Sequence, residues 1–417
     1  MKQPLTITNP TVEIANAEQL TLGNGMKLYI LQNNDFEILR LSFVFRAGSS
    51  TQQHPFSASA TANLLAEGSE RMKAHEISEQ LDYYGSYFDV NIDRDYSYIS
   101  FAMLSKYVAP TLEVASEIIL HPTFPEEEVR TYCAKRKQRL SIDRTKVDVR
   151  AREAFAEAMF GADHPYGQCF DEALYDTLTR EQIVDFYERH YGSNNGFVVC
   201  SGRVTEVERK AIIALVEQLG PTRNGFACNY PTPRQTHEVR LDHAGAVQSS
   251  IRIGRLLFGR EHPDFVEMQV VAATLGGYFG SRLMQNLRER NGFTYGVMAA
   301  MVNFDRTGYL AIATQVGSEV TDEALAEIYH EIERLRTEPI SEEELQLVKN
   351  IMVGEMMRIL DGPFGVADVT IENILCGYTN HIITEQVERI RSCTPEKIQQ
   401  LAERYLQRED LVTVIVG

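Results

Sequence analysis

Few residues in this chain have the type and spacing that chemistry needs. The best placed lie in LRERNGFTY, residues 287–295. Arg288 offers a rigid fork of donors that keeps its charge, and Tyr295, seven residues on, offers a hydroxyl donor. Gly292 reads as the left-handed terminator of a helix running from Ser281 to Arg290, with a strand from Phe293 onward. Arg288 then sits in the last helical turn and Tyr295 at the strand start. The plain alternative is a helix-capping arginine and a core tyrosine. Other candidates are weaker. His54 in HPFSA has no acid or second histidine at helical spacing, and His75 stands apart. His164 in DHPYG has no nucleophile beside it and reads as part of a turn. GGYFG at 276–280 lacks the GxGxxG spacing and a phosphate-loop lysine, and DGPFG at 361–365 reads as a helix break with a loop around Pro363. Cys133, Cys169, Cys200, Cys228, Cys376 and Cys393 show no CxxC and no paired spacing, so they read as reduced thiols, mostly buried.

One stretch draws notice by being blank. HPFSASATANLLAEGSE, residues 54–70, is a helix-forming run between the strand-like LSFVFRAGSS and the next charged segment. Nothing among Ser57, Ser59, Ala60, Thr61, Ala62 and Asn63 binds a metal, attacks a carbonyl or moves a proton near neutral pH.

The elements that position these residues fall into two similar halves. TREQIVDFYERHYGSNNGFVVCSG runs from Thr179 to Gly202, and TPEKIQQLAERYLQREDLVTVIVG runs from Thr394 to Gly417. Both ends are 215 residues apart (394 − 179 and 417 − 202). Each segment reads as an N-capping threonine, a helix, a short apolar strand and a glycine. NIDR at 91–94 is echoed by NFDR at 303–306, and PEEEV at 125–129 by SEEEL at 341–345. Tyr98 and Tyr309 open similar alternating strands. Four echoes in one order at near-constant spacing point to a tandem duplication.

Strand candidates in the first half are 27–31, 39–47, 87–92, 96–104 and 196–202, with long helices at 107–120, 125–158 and 179–190. The second half repeats this with SSIRIGRLLF, TYGVMAAMV, GYLAIATQV and LVTVIVG. Short turns between consecutive strands favour antiparallel pairing. The expected fold is therefore α+β: two tandem homologous domains, each a mainly antiparallel sheet with helices packed on one face. The expected division is residues 1–220, a linker at 221–236 and residues 237–417.

Composition narrows the function. The chain has 417 residues and a net charge of −17, which argues against general nucleic-acid binding. The first twenty residues lack the apolar core of a secretory signal, and no apolar run approaches the roughly 20 residues that span a bilayer. The expectation is a cytoplasmic chain with no membrane and no nucleic-acid partner.

LGNGMKLYIL, LSFVFRAGSS, HPTFPEEEV, DHPYGQ, TREQIVDFYERHYGSNN, GGYFGSRLMQNLRERNGFTYGV and PISEEELQLVKN follow one another through nearly the whole chain. In that order and spacing the sequence resembles the insulinase-like zinc peptidases, family M16, and most closely the short two-domain members such as mitochondrial processing peptidase subunits and their bacterial relatives. The resemblance implies a half-clamshell. Active members carry His-x-x-Glu-His on the first helix, two zinc ligands around a general base, and a glutamate ligand about 75 residues later. Anchored on LLAEGS, the two histidines fall on Ser59 and Asn63 and the base on Ala62; no shift restores the motif. No glutamate lies between Glu128 and Glu153, and the position due for the third ligand falls near Gln138 or Arg139, in a basic helix where Asp143 comes a turn too late.

The resemblance thus implies a member with no metal and no catalytic residue of its own, and with zinc in a partner. Arg288 and Tyr295 match a pair that binds the substrate backbone or the developing oxyanion in the family. The leading reading is a silent subunit that pairs with a homologous zinc-bearing chain, or with itself when alone, around a peptide or unfolded polypeptide. The alternatives are a scaffold subunit without peptide handling, like the core subunits of the cytochrome bc1 complex, and an active zinc peptidase with a rebuilt site. The basic run 130–152 could face an acidic partner, although such runs usually form solvated helix faces.

Overall fold

The structure, a computed structural model, describes residues 11–223, 230–305 and 307–417. Part of the expected linker, with Cys228, lies outside the described residues, as do residues 1–10 and Arg306.

The first half runs β1 (Glu18–Thr21), β2 (Lys27–Gln32), β3 (Ile38–Phe45), α1 (Ser57–Leu64), α2 (Ala74–Tyr84), β4 (Tyr87–Ile92), β5 (Ser97–Leu104), α3 (Val108–Leu120), α4 (Glu126–Asp143), α5 (Val147–Phe160), α6 (Arg180–His190), β6 (Gly196–Gly202) and α7 (Glu206–Glu217). The second runs β7 (Glu238–Leu241), β8 (Gln248–Leu257), α8 (Phe265–Gly276), a π-helix (Met284–Arg290), β9 (Val297–Asn303), β10 (Gly308–Gly317), α9 (Thr321–Thr337), α10 (Glu342–Ile359), α11 (Pro363–Leu375), α12 (Ile382–Ser392), α13 (Pro395–Tyr405) and β11 (Val412–Val416).

Two sheets result, ordered β1-β2-β6-β3-β5-β4 and β7-β11-β8-β10-β9. Setting β1 aside, the orders are the same. In both, the pair joining the last strand to the first is parallel and the remaining pairs are antiparallel. Thr179 caps α6 by accepting from the Gln182 amide, and Thr394 caps α13 by accepting from the Lys397 amide. The helices lead into equivalent strands, β6 ending at Gly202 and β11 running to Gly417. β5 and β10 share a strict alternation, with Ile99, Phe101 and Met103 matched by Leu310, Ile312 and Val316 on the core faces.

The helices do not all lie on one face, as the sequence suggested. α5 leaves its own half and lays Ala151, Phe155 and Met159 on Val412, Val414 and Val416 of the second sheet. α11 makes the reciprocal crossing, packing Ala367 and Ile371 on Leu31, Val44 and Val199 of the first. Gly254 of β8 has no side chain where Phe155 arrives: a Cβ there would lie 2.7 Å from the ring and 2.2 Å from the Leu310 carbonyl oxygen. The single helix expected over 125–158 is two, because the chain turns at 144–146 to make this crossing. Arg144 anchors the turn to Glu153, Glu172 and the Phe170 carbonyl. DGPFG also differs from the expected loop. Gly362, at φ 89°, precedes Pro363 at the first turn of α11, where proline loses no hydrogen bond.

The echoed hairpins NIDR and NFDR meet where the halves join. The Asp305 amide donates to Asp95 at 2.8 Å, and Arg46 grips the Asp305 carboxylate at 2.6 and 3.0 Å. The DHPYG turn supplies Tyr166, whose hydroxyl donates to Asp95 at 2.7 Å. Burial pushes the Asp95 carboxyl above its ordinary range. No helix among the described residues is long and apolar enough to cross a membrane.

Candidate functional site

Arg288 and Tyr295 come together. The segment expected as an α-helix becomes a π-helix from Met284, and the Asn291 amide reaches back five residues to the Asn286 carbonyl at 3.1 Å. The wide turn is held by Asn286, which donates to Glu327 and to the buried Glu331, each at 2.8 Å, and accepts from the Asn291 side chain at 2.7 Å. Gly292 then terminates it at φ 66°, as expected. The strand begins only at Val297, so Tyr295 sits on the short connection before β9 rather than at the strand start.

The Arg288 guanidinium lies between two rings, with its carbon 4.7 Å from the Phe279 centroid and 4.9 Å from that of Tyr295. Neither ring is core: Phe279 is 62% exposed and Tyr295 89%. Arg288 Nε lies 3.3 Å from the Glu289 carboxylate, and the guanidinium keeps its charge and its set of donors. The arrangement can therefore present donors to a carbonyl or anionic oxygen. Tyr295 and Phe279 border an open cavity of about 700 Å³ that also includes Arg252, Met298 and Gln315. β9 is the outermost strand of its sheet, so its far edge is unpaired within the sheet. Phe279 was missed in the sequence because GGYFG was weighed only as a phosphate loop and set aside, and nothing in its spacing marks a ring that meets Arg288 nine residues on.

The degenerate motif lies on α1. The chain enters α1 through Phe56, in the left-handed region at φ 65°. The Ser59 hydroxyl donates to the Phe56 carbonyl at 3.1 Å, and the Asn63 amide donates to the Ser59 carbonyl at 2.7 Å. Ala62 is fully buried. α4 packs against α1, yet Gln138 and Arg139, the positions expected to face it, are exposed, and Arg139 pairs with Asp143 at 2.9 Å. The residues beside Ser59 are instead Tyr132 and Tyr175, with Arg136 against both. Tyr175 stacks on Phe56 with centroids 3.9 Å apart. Burial pushes the Tyr132 hydroxyl up to about 12 and raises that of Tyr175.

Zinc takes thiolate, imidazole or carboxylate. A hydroxyl, a methyl, an amide and a guanidinium do not fit it. Among the described residues no group of three His, Cys, Asp or Glu side chains could hold a metal ion. His54 turns to Gln182 at 3.2 Å and His75 is exposed on α2. His164 is buried among aromatic rings.

Comparison with known proteins places this geometry. Residues 177–352 match the family described as the peptidase M16 inactive domain. A Rickettsia felis protein named an uncharacterized zinc protease is 22% identical over 350 residues, covering 80% of this chain and 82% of its own. The Bacillus subtilis uncharacterized zinc protease YmxG is 18% identical over 407 residues, covering 96% and 98%. Among solved structures, a peptidase M16 inactive domain from Pseudomonas fluorescens superimposes with a TM-score of 0.89 at 20% identity, covering 97% of this chain and 98% of that one. A chain of complex III2 from Candida albicans superimposes with a TM-score of 0.76 at 17% identity, covering 96% and 95%. The sequence match over residues 177–352 and the shared fold agree: this chain is similar to M16 peptidases in both.

Proposed function

We propose that this chain is a catalytically silent M16 subunit that pairs with a zinc-bearing homologue, forms one wall of a peptide-binding clamshell and supplies Arg288 and Tyr295 to substrate. The observation that carries this reading is the Arg288 guanidinium set against Phe279 and Tyr295, two rings that border an open cavity. A merely structural arginine would face its helix carbonyls, and a merely structural tyrosine would be buried. Two exposed rings flanking a cation near an unpaired strand edge suit an extended peptide, whose backbone could add to β9 while a carbonyl meets the Arg288 edge. Donors preorganised in this way stabilise charge that grows in a tetrahedral intermediate. In this reading the metal, the base and the attacking water belong to the partner, which is consistent with the absence of zinc-binding side chains at Ser59, Ala62 and Asn63. We place the complex in the cytoplasm.

The test is reconstitution. The zinc-bearing homologue from the same cell is assayed for peptide cleavage alone, and again with this chain added. The reading expects a stable complex in which cleavage depends on this chain. Full activity of the homologue alone, with no complex formed, would refute it.

A further inference from the structure

We propose that the place of the lost metal has become a carboxylate-binding site, in which Arg136, with Tyr132 and Tyr175, receives the carboxylate of a peptide. The proposal rests on the peptide-handling part of the reading above and does not require Arg288, Tyr295 or a zinc-bearing partner.

Along α4 neither Arg130 nor Arg136 has an ion pair among the described residues, and of the two Arg136 is the one set against Tyr132 and Tyr175. Lys137 pairs with Asp176. Arg139 pairs with Asp143. Lys135 lies near the Glu67 carboxylate. The groups that act on Arg136 are the hydroxyls of Tyr132 and Tyr175, and among the described residues no carboxylate stands within ion-pair distance of it. Arg136 is exposed, so its fork is accessible, and its guanidinium carbon lies 5.8 Å from the centroid of the Tyr132 ring.

The second observation is Tyr132. Its hydroxyl oxygen is enclosed and has no hydrogen-bond partner of good geometry, although Ser59 and Arg136 are close by. An enclosed polar group without a partner is costly, and a ligand oxygen would satisfy it. Ser59 and Asn63 direct their own donors into the backbone carbonyls of Phe56 and Ser59, which leaves Arg136 and the hydroxyls of Tyr132 and Tyr175 as the donors not committed to the backbone. A planar carboxylate matches this set: two oxygens on the guanidinium fork, with phenol donors at the side. Where a metal site would attract the scissile carbonyl, this one attracts a negative end. Free C-terminal and side-chain carboxylates share the chemistry.

The test uses the isolated full chain and three acetylated tetrapeptides. One is neutral with a free C-terminus, one carries a glutamate and is amidated, and one is neutral and amidated. Binding is measured calorimetrically for wild type, Arg136→Gln, Tyr132→Phe and Arg139→Gln, with thermal melts to establish folding. At least one carboxylate peptide should bind and the neutral amide should not; which peptide binds identifies the source of the carboxylate. Arg136→Gln should weaken binding at least about tenfold and Tyr132→Phe by a few-fold, with Arg139→Gln unchanged. Equal binding by wild type and a folded Arg136→Gln, or no carboxylate binding at millimolar peptide, would overturn the proposal. Loss in both Arg136→Gln and Arg139→Gln would mean general attraction to a basic helix and would also overturn it.

Discussion

At the scale of residues, the proposal is that a metal's surroundings have become a cation's. Ser59, Ala62 and Asn63 stand where the resemblance puts two ligands and the base, and Arg136 sets a fixed positive charge against Tyr132 and Tyr175, the two tyrosines beside Ser59. Purified chain dialysed against zinc should therefore hold well under one metal per molecule by elemental analysis; a stoichiometric, chelator-sensitive zinc would contradict this. Restoring His-x-x-Glu-His through Ser59→His, Ala62→Glu and Asn63→His should still leave zinc binding weak. Adding Arg136→Glu should tighten it by at least about tenfold, because a repelling charge becomes a negative donor. That His-x-x-Glu-His is missing is plain in the sequence, since no shift of register produces it. The facing residue was not. Counting about 75 positions from the motif pointed to Gln138 or Arg139, and the path between α1 and α4 brings Arg136 there instead. A different pH response belongs to His190, buried under Phe186 with rings 4.3 Å apart. Burial pushes it from an ordinary 6.5 down to about 4. The neutral ring is favoured in the fold, so the unfolded chain binds more protons between those values. Stability from this group is present above pH 6.5 and is lost as pH falls to about 4, by on the order of 3 kcal/mol. Chemical denaturation across that range should show a flatter acid limb for His190→Leu; an unchanged limb would remove His190 from the account.

At the scale of elements, α5 and α11 exchange sheets. Phe155→Ala should cost about 3–5 kcal/mol, and Ile371→Ala about 2–5 kcal/mol. Hydrogen exchange should then locate each loss in the other half: β8 and β11 should lose protection first in Phe155→Ala, and β3 and β6 first in Ile371→Ala. Loss of protection confined to each helix's own half would contradict the crossing. The sequence could not reveal this exchange. The apolar stripe Ala151, Phe155, Ala158 and Met159 looks the same whichever sheet it covers, and no proline or glycine marks the turn at 144–146. Strands and repeated caps were legible, because alternation in β5 and β10 and threonines at equivalent helix starts are local signals. The π-helix was not: its wider turn depends on Asn286 finding Glu327 and Glu331 from another helix. That turn sets where Arg288 points, so its disruption by Asn286→Leu should separate Arg288 from Phe279.

At the scale of the whole molecule, two copies of one fold meet at equivalent hairpins, bound by Arg46, Asp95 and Asp305. One copy carries Arg136 against Tyr132 and Tyr175, and the other carries Arg288 against two exposed rings. The half-clamshell proposed above would leave the wall of its chamber facing water, which would favour association with a second chain. Sedimentation should show a dimer, with the homologue when present and with itself when alone; a monomer under both conditions at high concentration would count against this. The most direct test of the central claim is peptide turnover by the partner's zinc site in the reconstituted complex carrying Arg288→Ala or Tyr295→Phe. Each variant should assemble normally, and kcat should fall by about 10²–10³ for Arg288→Ala, with KM changed less, because the lost donor acts mainly on charge that develops in the transition state. Unchanged kcat in both variants, with the complex intact, would contradict the account and leave a scaffold.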